Sequence, residues 1–281
     1  MVSTDALSLT PLAARDITGC MALSAEAGWN QLPDDWTLFL ERGAVFGLLG
    51  GEGRPLATGA ILPYGNAFAW VSMVLVTAPS RRARIGTRIL EACCTELTQR
   101  RLVAVLDATP AGEQVYRPLG FEPLFGLTRR QGAGDGRGGI PAGIRLMRES
   151  DLPVVADIDA AAFGARRSFL LENFFRRAPH LAFVTEDGEG FALARPGRIA
   201  TQVGPVVARD ENSAAALLGT ALNAAAGPIF LDLCDRWKGV ARELERRGFT
   251  EQRPFLRMAL RHDAPFGDAA CTFVVAGPEF G

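Results

Sequence analysis

Residues 74–86, Val-Leu-Val-Thr-Ala-Pro-Ser-Arg-Arg-Ala-Arg-Ile-Gly, place an apolar run, a proline, three arginines and a glycine ahead of a helix-forming run from Thr87. This order predicts a strand that empties into the first turn of a helix. The N–H groups of such a turn have no intrahelical acceptor and point outward, where an anion can take them. The helix dipole adds about half a positive charge there, and Arg81, Arg82 and Arg84 add full ones. Holding a phosphate group is the chemistry these residues support. An ordinary strand–helix connection with solvated arginines is the alternative they leave open.

A second group lies downstream. Residues 102–107 read as a buried strand, 108–112 as a turn, and 113–121 as a short helix closed by Gly120. That helix carries Tyr116, one of the two tyrosines of the chain; the other, Tyr64, falls in an expected loop. A phenol of pKa about 10 can donate a proton to a developing thiolate, and it can equally serve as a packed staple. Asp107 ends its strand just before Ala108-Thr109-Pro110. It is a candidate base acting through water, or a cap for the turn.

The series strand, Arg-rich junction, helix, strand, short Tyr-bearing helix, Gly-Phe resembles the acyl-CoA-binding core of the GNAT superfamily of N-acetyltransferases. The residues that carry the resemblance are Val76 followed by Arg81, the pair Ile85-Gly86, and Tyr116-x-x-x-Gly120-Phe121. The resemblance implies acetyl-CoA as cosubstrate, with no metal. It implies that Arg81, Arg82, Ala83, Arg84, Ile85, Gly86 and Thr87 surround the pyrophosphate. It also implies that the strand ending at Val76 splays from 102–107, freeing the amides of Val74, Leu75 and Val76 for the pantetheine and acetyl oxygen. Tyr116 would protonate the leaving sulfur. The family pattern Arg/Gln-x-x-Gly-x-Gly/Ala has glycine where this chain has Arg84. Many members carry a basic carboxylate on the strand before the junction, and residues 68–73 offer none, which leaves Asp107. Trp29 and Asn30, with Trp70 and Thr109, are the expected lining for the acceptor; Trp29 is a pocket wall or a core anchor.

The 281 residues are 48% hydrophobic with a net charge of −1, enough for one large core or two ordinary ones. That charge gives no electrostatic reason to expect nucleic acid or an anionic membrane as a partner. The N-terminal residues lack a signal-peptide pattern, and no apolar run approaches the ~20 residues of a membrane span. With five unspaced cysteines the expectation is buried, reduced thiols in a cytoplasmic protein. His180 and His262 are the only histidines, so a His-rich metal site is excluded. No Gly-x-Ser-x-Gly elbow, Gly-x-Gly-x-x-Gly or Gly-x-x-x-x-Gly-Lys motif occurs.

The chain repeats itself with an offset of about 130 residues. Leu106-Asp107 parallels Leu231-Asp232, and Gly120-Phe121 parallels Gly248-Phe249. The seam is glycine-rich, Gln131-Gly132-Ala133-Gly134-Asp135-Gly136-Arg137-Gly138-Gly139, and reads as a flexible connector. The expected organisation is α+β: a catalytic domain over 1–130, a linker over 131–140 and a divergent copy over 141–281. Each copy would hold a mixed, mostly antiparallel sheet with helices on both faces. In the second copy Arg209-Asp210-Glu211 replaces the arginine cluster and Leu244 stands where the first has Tyr116. That copy is expected to be non-catalytic, shaping the substrate pocket or a homo-oligomer interface, with its last residues, 276–281, a surface tail or, at Glu279, a pocket residue. The leading function is acetyl transfer to the primary amine of a small molecule or peptide. The alternative is a non-catalytic acyl-CoA-binding sensor or assembly subunit.

Overall fold

A computed structural model describes residues 9–51, 53–81 and 83–281. The chain forms two compact units, one from the residues up to Leu106 together with Phe280, the other from Asp107–Glu279 with Gly281.

The first unit contains β1 (Leu9–Pro11), α1 (Ile17–Glu26), α2 (Pro33–Arg42), β2 (Ala44–Leu49), β3 (Pro55–Tyr64), β4 (Phe68–Val76), α3 (Ile85–Gln99) and β5 (Val103–Ala108). The last residues of β5, Asp107 and Ala108, are grouped with the second unit. Of the first strand expected over 6–10, residues 6–8 lie outside the described residues. Strand order is β1-β2-β3-β4-β5, antiparallel except for the parallel β4–β5 pair. Helix α3 forms because Ile85, Ile89, Leu90, Cys93 and Leu97 recur at helical spacing, and these are its buried residues. Each large aliphatic side chain buried this way contributes roughly 1.5–3 kcal/mol. Gly59 on β3 admits the helix: a Cβ there would stand 2.3 Å from Ile89 Cγ2. Tyr64, expected in a loop, ends β3, is 1% exposed and donates to the Phe280 carbonyl at 2.8 Å.

The second unit contains α4 (Pro110–Tyr116), β6 (Phe121–Asp135), β7 (Ile144–Leu146), α5 (Leu152–Phe163), α6 (Ser168–Arg177), β8 (Phe183–Thr185), β9 (Phe191–Arg195), β10 (Thr201–Val207), α7 (Glu211–Ala224), β11 (Ala226–Cys234), α8 (Lys238–Arg246), β12 (Thr250–Leu260) and β13 (Thr272–Val274). From β7 to β12 the elements repeat the series β1 to β6, so the internal repeat is real at the level of structure. Strand order is β12-β6-β11-β13-β10-β9-β8-β7. Its core joins α7 and α8 to the sheet through Leu217, Leu218, Ala221, Val240, Leu244, Leu231 and Phe249.

Three expectations are corrected. The compact units part at Leu106, ahead of the expected boundary, and β6 lies in the second unit between β12 and β11. Residues 131–135 are not a connector but the far half of β6, paired with β11 from Ala226↔Asp135 to Phe230↔Gln131. Their glycines serve close packing: a Cβ on Gly132 would stand 2.6 Å from the Phe249 ring, and one on Gly134 would stand 2.2 Å from the Ala225 carbonyl oxygen. The C-terminal residues are not a surface tail, since Phe273–Ala276 and Glu279–Phe280 are all buried.

Candidate active site

Strand β4 pairs with β5 only through Phe68–Trp70 against Val103–Val105, and past Trp70 it runs on to Val76 without that neighbour. On the β3 side the register shifts between Thr58 and Ala60, opposite Leu75 and Ser72. Met73 takes φ +54° at this bulge, and its carbonyl accepts from Thr58 Oγ1 at 2.9 Å. An unpaired strand end of this kind presents backbone groups to a ligand.

The junction from Val76 to α3 is braced by a residue with no signal in its local sequence. Glu26, the last residue of α1, accepts from Thr77 Oγ1 at 2.8 Å and from the Ala78 N–H, and lies 3.6 Å from the Arg81 guanidinium. The Ala78 N–H, then Thr77 and Arg81, hold the Glu26 carboxyl below its ordinary range. Arg81 turns back onto the loop, its Nε donating to the Val76 carbonyl at 3.0 Å. Arg82 lies outside the described residues. Ala83 and Arg84 are exposed. Arg84 has φ +55°, a left-handed conformation that favours glycine; a non-glycine residue there costs about 1–2 kcal/mol. The N-cap residue, Arg84, makes no side-chain capping bond, which leaves the first-turn amides of Ile85, Gly86 and Thr87 without an N-cap acceptor. Gly86 sits over the end of β4: a Cβ on it would lie 3.6 Å from Val76 Cγ2 and 4.0 Å from Val74 Cγ1.

The remaining predicted residues divide. Trp29 and Asn30 lie between α1 and α2, Trp29 half-buried with its N–H on the Ser24 carbonyl at 2.9 Å, and Asn30 buried. Beside them the buried Gln31 Oε1 has no hydrogen-bond partner among the described residues. Trp70, 1% exposed, is a core side chain rather than a lining one. Thr109, on the second unit, caps α4, accepting from the Gly112 N–H at 3.2 Å. Tyr116 is half-buried; its ring lies over Gly112, where a Cβ would stand 3.2 Å from the hydroxyl, and 5.9 Å from the Phe121 ring.

Asp107 is corrected in both of its readings. Its side chain is 0% exposed and accepts two hydrogen bonds from Arg257, at 2.8 and 2.9 Å. Burial pushes its carboxyl up, against the pull of Arg257. A carboxylate held this way neither caps the turn nor takes up a proton without breaking the pair.

The corresponding features of the second unit are built shut. Strand β10 pairs in parallel with β11 only over Thr201–Val203 and Ile229–Leu231, then diverges as β4 does. Here β13 fills the gap, with Val274 opposite both Val206 and Leu233. Gly204 admits the chain beyond it: a Cβ there would stand 2.1 Å from the Val275 carbonyl oxygen. At the head of α7, Asp210 accepts from the Ser213 N–H at 2.9 Å, supplying the cap that α3 lacks. Among the described residues no cluster suits a metal ion and no helix is long and apolar enough to cross a membrane.

Comparison with known proteins agrees with this architecture. Residues 155–271 match the family model described as an acetyltransferase (GNAT) domain. A proposed acetyltransferase from Pyrococcus horikoshii is similar over 100% of this chain and 98% of its own, at 20% identity and a TM-score of 0.81. A tandem GNAT protein of the clavulanic acid biosynthesis pathway is similar over 90% of this chain and 98% of its own, at 16% identity and a TM-score of 0.63. A GCN5-related N-acetyltransferase from Sphaerobacter thermophilus is similar over 90% and 95%, at 17% identity and a TM-score of 0.62. No curated protein matches the chain in sequence. The family-model match falls on the second half, whereas the arginine-rich junction lies in the first.

Proposed function

We propose, with the GNAT fold as premise, that the first unit binds acetyl-CoA and that the chain transfers the acetyl group to a primary amine of a small molecule or peptide. The supporting observation is the divergence of β4 from β5 past Trp70, with the uncapped head of α3 packed over Val74 and Val76. In this reading the amides of Ile85, Gly86 and Thr87 receive the pyrophosphate, with the exposed Arg84 beside them as a cation. Arg81 shapes the loop from behind. Backbone groups from Val74 to Val76 take the pantetheine and the acetyl oxygen, and one such donor is worth about 3 kcal/mol at the transition state.

The neutral amine nitrogen attacks the thioester carbonyl and the ammonium so formed gives its surplus proton to solvent; the carbon–sulfur bond breaks, and Tyr116 gives its phenolic proton to the leaving sulfur and is reprotonated from solvent. Asp107 is not the base. With no positioned carboxylate on β4, the acceptor reacts as the neutral amine. For an alkylamine of pKa about 10, kcat/KM should then climb roughly tenfold per pH unit between 7 and 9. Release of coenzyme A thiol, followed against a panel of amines over that range, tests the reading. A flat profile would restore a resident base. In the same assay Tyr116→Phe should keep coenzyme affinity and lose at least ~10-fold in kcat; unchanged turnover removes Tyr116 from the mechanism. The absence of a free carboxylate on β4 favours one competing reading, a non-catalytic acyl-CoA-binding subunit. Tight binding without thiol release for any amine would select it.

A further inference from the structure

Strands β6 and β12, the last strands of the two repeats, pair antiparallel with Leu127 opposite Phe255, its own counterpart in the repeat. A local two-fold therefore passes through this pair. It relates Arg129 to Arg257 and Phe125 to Arg253. Arg129 and Arg257 are both buried, and each holds a carboxylate with two hydrogen bonds: Arg129 to Asp232, at 2.8 Å twice, and Arg257 to Asp107. Opposite Arg257 across the ladder stands Phe125, its ring 4.9 Å below the guanidinium. Opposite Arg129 stands Arg253. The symmetry thus fails at one position, by adding a cation.

Among the described residues no carboxylate forms an ion pair with that cation; Asp232 and Glu279 favour its charge from a distance. Like charges directly opposed on a ladder are destabilising. Asp232 is engaged elsewhere, accepting twice from Arg129 and, at Oδ2, from Gln202 Nε2 at 2.9 Å. Among the described residues Arg253 has no ion-pair partner, and its Nε is buried without an acceptor. Its guanidinium lies 5.2 Å over the Phe255 ring, which holds it flat, and the residue is only partly buried. Burial, then the neighbouring Arg129, disfavour its charged form and outweigh the pull of Asp232 and Glu279. A planar guanidinium held on an aromatic ring is well made to take a planar or tetrahedral oxyanion by two parallel hydrogen bonds.

We propose that Arg253 is the recognition residue of a small-oxyanion site in the second unit, accepting a carboxylate or phosphate group, separate from the thioester site of the first. The experiment titrates the full chain, saturated with coenzyme A to occupy the first unit, with potassium phosphate and with sodium benzoate against potassium chloride of equal ionic strength. Either oxyanion should raise Tm saturably, and the two arms show whether phosphate or carboxylate is preferred. In Arg253→Gln the apparent Kd should weaken at least 10-fold, with partial recovery in Arg253→Lys. Without anion, Arg253→Gln should melt no lower than the parent, because the opposed charge has gone. Phenylglyoxal labelling mapped by peptide mass gives a reading on the unaltered protein: phosphate should slow modification at Arg253 by several-fold. No saturable effect beyond chloride, an unchanged Kd in Arg253→Gln, or unprotected Arg253 would each overturn the proposal. None of these outcomes depends on acetyl transfer.

Discussion

The gap beside β4 and the gap beside β10 are the same architectural feature met twice, and the chain treats them in opposite ways. Both strands leave their parallel neighbour after three paired residues, Phe68–Trp70 in one and Thr201–Val203 in the other. Beyond that point the first gap receives no strand among the described residues, while the second receives β13. The helix heads differ in the same sense: α3 has no side-chain cap, and α7 is capped by Asp210. Backbone groups that are open in one copy are satisfied by the chain itself in the other. Closing the second gap satisfies backbone groups that would each cost about 1–3 kcal/mol if buried unpaired, whereas in the first copy the proposed coenzyme would have to supply that partner.

What the copies share is as informative. Asp107 and Asp232 lie close to the ends of equivalent strands, and Arg257 and Arg129 occupy equivalent places on β12 and β6. The same buried bidentate pair thus occurs twice, each time joining an Asp of one repeat to an Arg of the other, as expected of a framework and not of chemistry confined to one copy. Arg257→Ala would leave Asp107 buried without its partner. It should cost about 3–5 kcal/mol of unfolding free energy, the largest effect anticipated for a single substitution. Urea denaturation measures it. A loss below 1 kcal/mol, or a change confined to turnover, would reopen the case for Asp107 as a base.

A smaller effect tests the helix heads. Arg84→Asp writes the second copy's solution into the first, placing a carboxylate where the pyrophosphate is proposed to dock. Calorimetric titration should show acetyl-CoA binding weakened roughly 30-fold, about 2 kcal/mol, as expected when a charge-assisted contact is replaced by a repulsive one. Aspartate tolerates the left-handed conformation better than arginine, so the melting temperature should hold or rise. Undiminished affinity would break the contrast between the two copies.

Filling the second gap should be worth a similar amount to the fold and nothing to the ligand. Val274 is 0% exposed within β13. Val274→Ala removes two buried methyl groups and should cost about 2 kcal/mol, while coenzyme affinity in the first unit stays as it was. One coenzyme per chain is the accompanying stoichiometry; two would mean that β13 yields to ligand.

These contrasts were unevenly legible in the sequence. Long apolar runs with clear period announced β4 and α3, and the arginine-rich junction between them could be read directly. β13 could not, because three strand residues after the Gly-, Asp- and Ala-containing stretch at 267–270 carry too little pattern to stand out. The far half of β6 was hidden by its composition: glycine there admits Phe249 and the Ala225 carbonyl, and sequence alone equates glycine with freedom. Glu26 and Arg257 act on residues far along the chain, Thr77 and Asp107, so their roles exist only once the fold brings them together. Asp210 was visible as a charge that would repel phosphate, and its role as a cap follows from the same position.

The thiols give the finest test, because they report on each copy separately. Burial pushes Cys93 on α3 and Cys234 on β11 up to about 12. At pH 8 only roughly one such thiol in ten thousand is ionised, so each should react with a disulfide reagent only when its region opens. Cys94 and Cys271 are less buried and should label first. If the first copy is the one that takes ligand, acetyl-CoA will slow labelling at Cys93 by holding the head of α3 in place, and the rate at Cys234 will not move. Equal protection at both would mean that opening is global and does not distinguish the copies. Protection at Cys234 alone would transfer the ligand site to the half that the family model matches, and reverse the comparison from which the other experiments start.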